Sequence, residues 1–405
     1  MKALSGIRVL DMSRILAGPW STQLLSDLGA EIIKVERPDG GDETRAAGPP
    51  FLRDKDGAET RDSAFYLSAN RGKKSLAVNI TRSEGQEIIR RIAATSDVLV
   101  ENFLVGKLAE YGLGYDDLRA LNPRLIYCSI TGFGQSGPYR HRPGYDFVAQ
   151  AMGGMMSITG ERDGPPQKAG IALADLMTGM YSAVAILAAL AERARTGMGQ
   201  HIDMALLDVL VAAMANMNLN YLVSDKLPDR YGNAHANLVP YQEFKCRDGH
   251  IIVTVGSDSL FRKLCSCLGT PELATDPRFA TNPTRVRNRA ALIPLLAAAF
   301  VREDMAVWLE RLEAVAVPCA PINTIAQVFA DPQVRHRGLK FEMPHPAAGT
   351  VPLVANPIRF SETPIEPSLP PPLLGQHTRE ILRGLLGFDD TAVDRLAASG
   401  VISGG

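Results

Sequence analysis

The stretch from Gly6 to Pro38 most limits what this chain can fold into. Ile7 to Ser13 alternates apolar and polar residues, the two-residue period of a strand. AGPWSTQLLSDLGA then places Leu24, Leu25 and Leu28 on one helical face and stops at Gly29. AEIIKVERP is a second strand, ended by Pro38. Strand, helix and strand in so short a span demand parallel strands joined by a right-handed crossover. The pattern resumes downstream. KKSLAVNI reads as a strand, EGQEIIRRIAATS as a helix, and DVLVENF and PRLIYCSITGFG as further strands. The expected fold class is α/β, with a Rossmann-like doubly wound large domain.

At 405 residues the chain exceeds one ordinary core, so a second domain is expected. Residues 1–220 form the first part of the large domain in this reading. KLPDRYGNAHANLVPYQEF breaks the pattern with clustered Pro, Gly and Asn. Residues 221–335 follow as a smaller α+β domain, opening with an EFKCRDGHIIVTVGS hairpin turned at Asp248-Gly249. In residues 336–405, a Pro-rich extended segment returns the chain to the large domain and a capped helix, GQHTREILRGLLGF, closes it. HIDMALLDVLVAAMANMNLNYL reads as helix.

The net charge of −1 argues against a nucleic-acid or membrane partner bound through the overall field. Five cysteines make no disulfide framework, and Cys265 and Cys267 lack the histidines of a zinc site, so no metal is expected. Reduced thiols and the absence of a signal-peptide core in MKALSGIRVLDMS place the protein in the cytoplasm, or in a mitochondrial matrix after loss of a transit peptide. GIALADLMTGMYSAVAILAALAER is strongly apolar, but its Asp175 and Thr178 fit a buried helix better than a membrane span.

The first βα turn, DMSRILAGPW, lacks the glycine fingerprint of dinucleotide sites. Arg14 and the helix opening at Gly18-Pro19 can still receive a phosphate there; a plain turn is the alternative. After the second strand, Arg37 offers a guanidinium suited to a phosphorylated ribose, or is a surface arginine. Arg71, Lys73 and Lys74 in NRGKKS can meet a diphosphate or be merely solvated. Asp175 sits where an apolar segment meets an apolar helix. It is either the helix cap or a carboxylate kept ionised by the helix dipole, able to attack an acyl carbonyl.

Read in order, eight segments carry a resemblance over nearly the whole chain. They are LSGIRVLDMSRILAGPWSTQLLSDLGAEIIKVERPDGGD, NRGKKSLAVNI, DVLVENF, ITGFGQSGPYRHRPGYDFVAQAMGG, ADLMTGMYSA, GQHIDMALLD, GQHTREIL and LAASGVI. The chain resembles the class III CoA-transferases, the superfamily of formyl-CoA and carnitine CoA-transferases. The resemblance implies that Asp175, in an A-D-x-x-x-G segment completed by Gly179, is the nucleophile. It implies coenzyme A contacts at Arg14, Ala17, Arg37, Asn102 and Phe103, with Tyr145 near the thioester and Lys73 the choice from NRGKKS. The partners implied are an acyl-CoA and a small carboxylic acid, with CoA thioesters as substrates and no tightly bound cofactor. An interlocked homodimer, each chain threaded through a ring of the other, is implied as well.

Two departures separate this sequence from the formyl enzyme: GNAHANLVPY replaces a glycine-rich loop, and Leu16 replaces a glutamine. GNAHANLVPY is similar to members that use succinyl-CoA and dicarboxylates such as glutarate, itaconate, mesaconate or malate. His235 and Asn237 are candidates for a second carboxylate, or turn residues; Arg45 and Arg230 are further candidates. AMGG and GNAHAN are candidate sources of oxyanion donors. The racemase branch of the superfamily carries a histidine where this chain has Tyr145, and a tyrosine of ordinary pKa is a poor base at neutral pH. His141 is out of register. CoA transfer is therefore preferred over racemisation and over non-catalytic CoA binding.

Overall fold

The computed structural model describes residues 2–404. Strands β1 (Arg8–Asp11) and β2 (Glu31–Glu36) are parallel neighbours joined by the helix Ala17–Asp27, the βαβ unit expected. A hairpin of β3 (Phe51–Arg53) and β4 (Glu59–Ser63) intervenes. Strands β5 (Lys73–Val78), β6 (Val98–Glu101), β7 (Ile126–Thr131) and β8 (His201–Ala205) then join the sheet in the order β5-β2-β1-β6-β7-β8, all parallel. The chain first builds outward from β1 to β2 and β5, then returns to β1's other side as β6. That reversal opens a crevice beyond the carboxyl ends of β1 and β6.

Alternate residues of each strand serve opposite faces of the sheet. Leu10, Ile33, Leu76 and Leu99 pack on one side against Ile88, Ile92 and Leu382. Val9, Ile32, Val98 and Ile126 pack on the other against Ala183, Ile186 and Leu210. Burial on both faces is what a parallel sheet requires.

Two compact units emerge. The first comprises the chain up to Met155, Ala169–Leu219 and the part from Gln333 onward; the second comprises Met156–Lys168 and Asn220–Pro332. The detour of 156–168 into the second unit is absent from the sequence-based division. Within the second unit, β9 (Tyr241–Lys245), β10 (His250–Thr254) and β11 (Cys319–Pro321) form an antiparallel sheet. The Asp248-Gly249 turn closes with a 2.8 Å bond from the Cys246 amide to the Gly249 carbonyl. Phe244, Ile251, Phe261, Phe300 and Trp308 centre its core.

Three local expectations are corrected. HIDMA is strand β8, because its alternating pattern is short and precedes a stronger helical one; the helices Leu206–Ala213 and Ala215–Ser224 follow, separated where Ala215 adopts φ of 42°. The Pro-rich return begins as a hairpin, β12 (Lys340–His345) and β13 (Gly349–Val354), packed on Tyr66 and Leu67. A two-stranded ribbon has only edge strands, so it tolerates Pro344 and Pro352. Finally, the single closing helix is two, Thr378–Gly384 and Asp390–Ala398, followed by β14 (Ile402–Ser403) antiparallel to β5.

The helix Leu173–Thr196 is long and apolar enough to cross a membrane by length and composition. Its Ala174, Thr178, Ser182, Ala183, Ile186 and Ala189 recur at helical spacing and are buried. Met180, Tyr181 and Val184 on the opposite side are exposed.

Candidate active site

The crevice at the β1–β6 reversal holds a cavity of about 280 Å³. Its walls are the turn Arg14–Ala17 after β1, residues 102–105 after β6, residues 130–132 ending β7, and Arg140 with Arg142–Tyr145 from the next loop. Asp175 and Leu206 complete it. The two loops at the reversal are laced together. The Arg14 amide donates to Asn102 Oδ1 at 2.9 Å, and Asn102 Nδ2 donates to the Arg14 carbonyl at 2.7 Å. Ile15, a β-branched residue, is held at φ of 70°, a strained conformation of the kind that clusters at functional sites. Its amide donates to Asp42 Oδ1 at 3.3 Å. The Arg14 guanidinium lies 4.9 Å from the Phe103 ring centroid and pairs with Glu43 at 2.7 Å.

Asp175 lies in the first turn of Leu173–Thr196, but it does not cap that helix. Asp146, from another segment, does so: its Oδ1 accepts the Ala174 amide at 2.7 Å and the Asp175 amide at 3.4 Å. The Asp175 side chain accepts no hydrogen bond among the described residues and is free for chemistry. Burial, and then the neighbouring Asp146 carboxylate, push its pKa up to about 7. The expected ionising influence of the helix start is thus outweighed. Gly179 explains why this helix reaches the first turn. A Cβ there would stand 2.6 Å from the Ala17 carbonyl oxygen, so only glycine lets the helices touch. Asp175 and Gly179, four residues apart, share that face.

The model of CoA-transferase family III matches residues 4–378. The chain belongs to CoA-transferase family III. It is therefore an enzyme that transfers coenzyme A. The succinate–glutarate CoA-transferase of Agrobacterium fabrum is 49% identical over 389 residues, covering 96% of this chain and 97% of that protein. The succinyl-CoA:glutarate CoA-transferase of Mus musculus is 47% identical over 402 residues, covering 99% of this chain and 91% of that protein. The crystal structure of a CAIB/BAIF family protein from Brucella suis superposes with a TM-score of 0.83 at 48% identity, covering 95% of this chain and all of that one.

Of the positions singled out in this CoA-transferase, Arg14, Ala17, Asn102, Phe103, Tyr145 and Asp175 gather around the one cavity. Tyr145 is 64% exposed. Arg37 borders an adjoining recess of about 30 Å³ with Met12, Val35 and Ile80, and the recess shares Arg14 and Phe103 with the main cavity. Its only ion pair among the described residues is a 3.9 Å approach to Asp39, so its charge remains available.

Lys73 falls elsewhere. It is fully buried on β5, and its ammonium donates to Asp11 Oδ2 (3.0 Å), the Pro19 carbonyl (2.9 Å) and Asn70 Oδ1 (3.0 Å). With three donors spent it has none for a diphosphate. Arg71 pairs with Asp27, and Lys74 with Glu31 and Glu380, so the whole NRGKKS cluster is structural. Arg45 is also withdrawn as a carboxylate receptor, because it is buried between Glu36 and Asp62. Arg230 donates to the carbonyls of Glu161, Arg162 and Gly164 and thereby ties 156–168 to its unit. In that same unit His235 Nδ1 accepts the amides of Asn237 (3.0 Å) and Leu238 (3.1 Å), the turn alternative. Asn237 bonds Asn220. The amides of Gly153, Gly232, Ala234, His235 and Asn237 all donate to acceptors within their own units, so the expected oxyanion donors are not among them.

Sequence reasoning missed Asp146, Arg140 and Arg142. All three lie in RHRPGYD, whose charges were read only as part of a family segment. It missed Glu101 too. Burial pushes that carboxyl up to about 7 behind Asn102, against bonds from Ser129 and the Phe103 amide.

Proposed function

We propose that this enzyme moves CoA from succinyl-CoA to a free dicarboxylic acid such as glutarate, with Asp175 as a covalent nucleophile. The observation carrying the proposal is a half-buried, unbonded carboxyl facing the cavity at the β1–β6 reversal. The named activities of the full-length relatives supply the acid pair. CoA extends from the recess at Arg37, past Arg14 and Phe103, to place its sulfur near Asp175.

The Asp175 carboxylate attacks the succinyl thioester carbonyl, and the carbon–sulfur bond breaks to give a mixed anhydride and CoA thiolate. The thiolate attacks the aspartyl carbonyl of the anhydride, forming an aspartyl-CoA thioester and releasing succinate. The glutarate carboxylate attacks that thioester, giving a second anhydride and thiolate. Attack of the thiolate on the glutaryl carbonyl forms glutaryl-CoA and restores Asp175. Each step exchanges one activated carbonyl for another and is balanced in charge.

The proposal includes the interlocked homodimer. Met180, Tyr181 and Val184 of the long helix expose apolar area that a second copy would cover. Sedimentation equilibrium should give twice the chain mass.

The deciding experiment incubates the enzyme with succinyl-CoA, quenches with hydroxylamine and maps the adduct by mass spectrometry. A hydroxamate at Asp175 is expected, together with loss of about a thousandfold or more in kcat for Asp175→Asn. Full transfer by that variant, or solvent deuterium entering beside the thioester without acyl exchange, sinks the mechanism.

A further inference from the structure

We propose that Arg142, with Arg140 beside it, receives the remote carboxylate of the dicarboxylic substrate and so sets the preference for diacids. The inference rests on CoA transfer at Asp175 and names what selects the acid. Its first ground is placement, since both arginines line the cavity that contains Asp175. Its second is electrostatic. Neither forms an ion pair among the described residues, whereas Arg14 on the same cavity is neutralised by Glu43. The two arginines favoured by sequence for this task, Arg45 and Arg230, are consumed elsewhere in the fold.

The third ground is orientation. The Arg142 guanidinium lies 5.4 Å from the Phe133 ring centroid and 4.7 Å from that of Tyr139. Stacking of this kind fixes the guanidinium plane while leaving its N–H groups unspent. Arg140 spends one donor, Nε, on His141 at 2.9 Å. The segment carrying both is clamped to the end of β7. A Cβ on Gly132 would stand 2.6 Å from the Gly144 Cα, and one on Gly144 would stand 2.3 Å from the Gly132 Cα. Two backbones in contact leave Arg142, two residues from Gly144, little freedom to swing away. A planar fork with free donors matches a carboxylate bidentately. Free glutarate and the succinyl group of the donor both carry a carboxylate remote from the reacting carbonyl, so one cationic rim serves both half-reactions.

CoA is itself anionic, and the test must separate its phosphates from the acid. Arg142→Met and Arg142→Lys would be assayed with glutarate and with pentanoate as acceptors, and with succinyl-CoA and butyryl-CoA as donors. Arg142→Met is expected to lower the preference for glutarate over pentanoate in kcat/KM by about 10- to 100-fold. It should leave the KM for butyryl-CoA unchanged, and Arg142→Lys should recover part of the preference. An equal rise in KM for butyryl-CoA and succinyl-CoA would assign the arginine to the phosphates and overturn the proposal. So would an unchanged glutarate preference in a variant whose thermal melt matches the parent. Trapping of aspartyl-CoA at Asp175 in that variant would show that the nucleophile reading survives the failure. An unmodified enzyme that exchanges no CoA would remove the reading and this inference together.

Discussion

Two sets of charges flank the first βα turn, one beneath it and one around the cavity above it. Beneath the turn, Lys34 pairs with Asp42, Lys73 with Asp11, and Arg45 with both Glu36 and Asp62, all in the interior. Each cation has an acid, and remaining donors reach carbonyls such as those of Ser13 and Pro19. Lys34 and Asp42 thereby hold Ser13 and Ile15, the floor of the Arg14 turn. Around the cavity the pattern reverses. Asp175 faces another acid, Asp146, and Arg140 and Arg142 have no acid partner among the described residues. Similar side chains have opposite duties in the two places. Completed charge pairs position the loops, and uncompensated charges are left around the cavity, where the proposed function brings substrate charge.

The strongest way to break this contrast is to unpair a charge in the lower set. Lys73→Met leaves Asp11 buried with Ser13 and Thr22 but without its ammonium. Removing one member of a buried pair costs about 3–5 kcal/mol. Denaturant unfolding should show that loss, with any activity defect following the folded fraction. If instead stability held and only the KM for acyl-CoA rose, Lys73 would belong with the substrate after all.

That lysine also shows where sequence reading stops. Strand, helix and strand from Gly6 to Pro38 were legible because apolar spacing is local, and so was the hairpin at Asp248-Gly249. The loops at the strand ends followed from the topology, which brings Arg14 and Asn102 together across 88 residues. What could not be read was partnership. Lys73, Arg45 and Arg230 look like receptor cations in a linear chain, because the acids and carbonyls that occupy them come from distant segments. Asp175 looked like a cap for the same reason, since the residue that caps its helix is 29 positions earlier. The strand HIDMA was lost to a stronger helical pattern beside it.

A middle-sized test sets stability against function at Asp175. An ordinary aspartate titrates near 3.8, and this one near 7. Between those values the folded state holds a proton that the unfolded chain has lost, so stability falls as pH rises from about 4 to 7 and is level above. Asp175→Asn removes that loss. The variant should match the parent at pH 4 and exceed it by about 2 kcal/mol at pH 8, a figure discounted for the carboxyl's partial exposure. Equal melting temperatures at both pH values would mean that the carboxyl is solvated, and the contrast with the paired charges beneath the turn would lapse.

Asp146→Asn probes the smallest term, because burial is the larger cause of the Asp175 shift and Asp146 the lesser. Asparagine keeps an oxygen to accept the Ala174 amide, so the helix cap survives while the negative charge is lost. Asp175 then ionises at lower pH. If its carboxylate is the attacking form, the acid limb of kcat/KM against pH should move toward lower pH, with the plateau above pH 8 little changed. A limb that stays in place would show that Asp146 acts on Asp175 through the helix start alone. A limb that moves to higher pH would mean that loss of the cap has buried Asp175 further, and the cavity would then owe its reactive carboxyl to packing rather than to the pairing of two like charges.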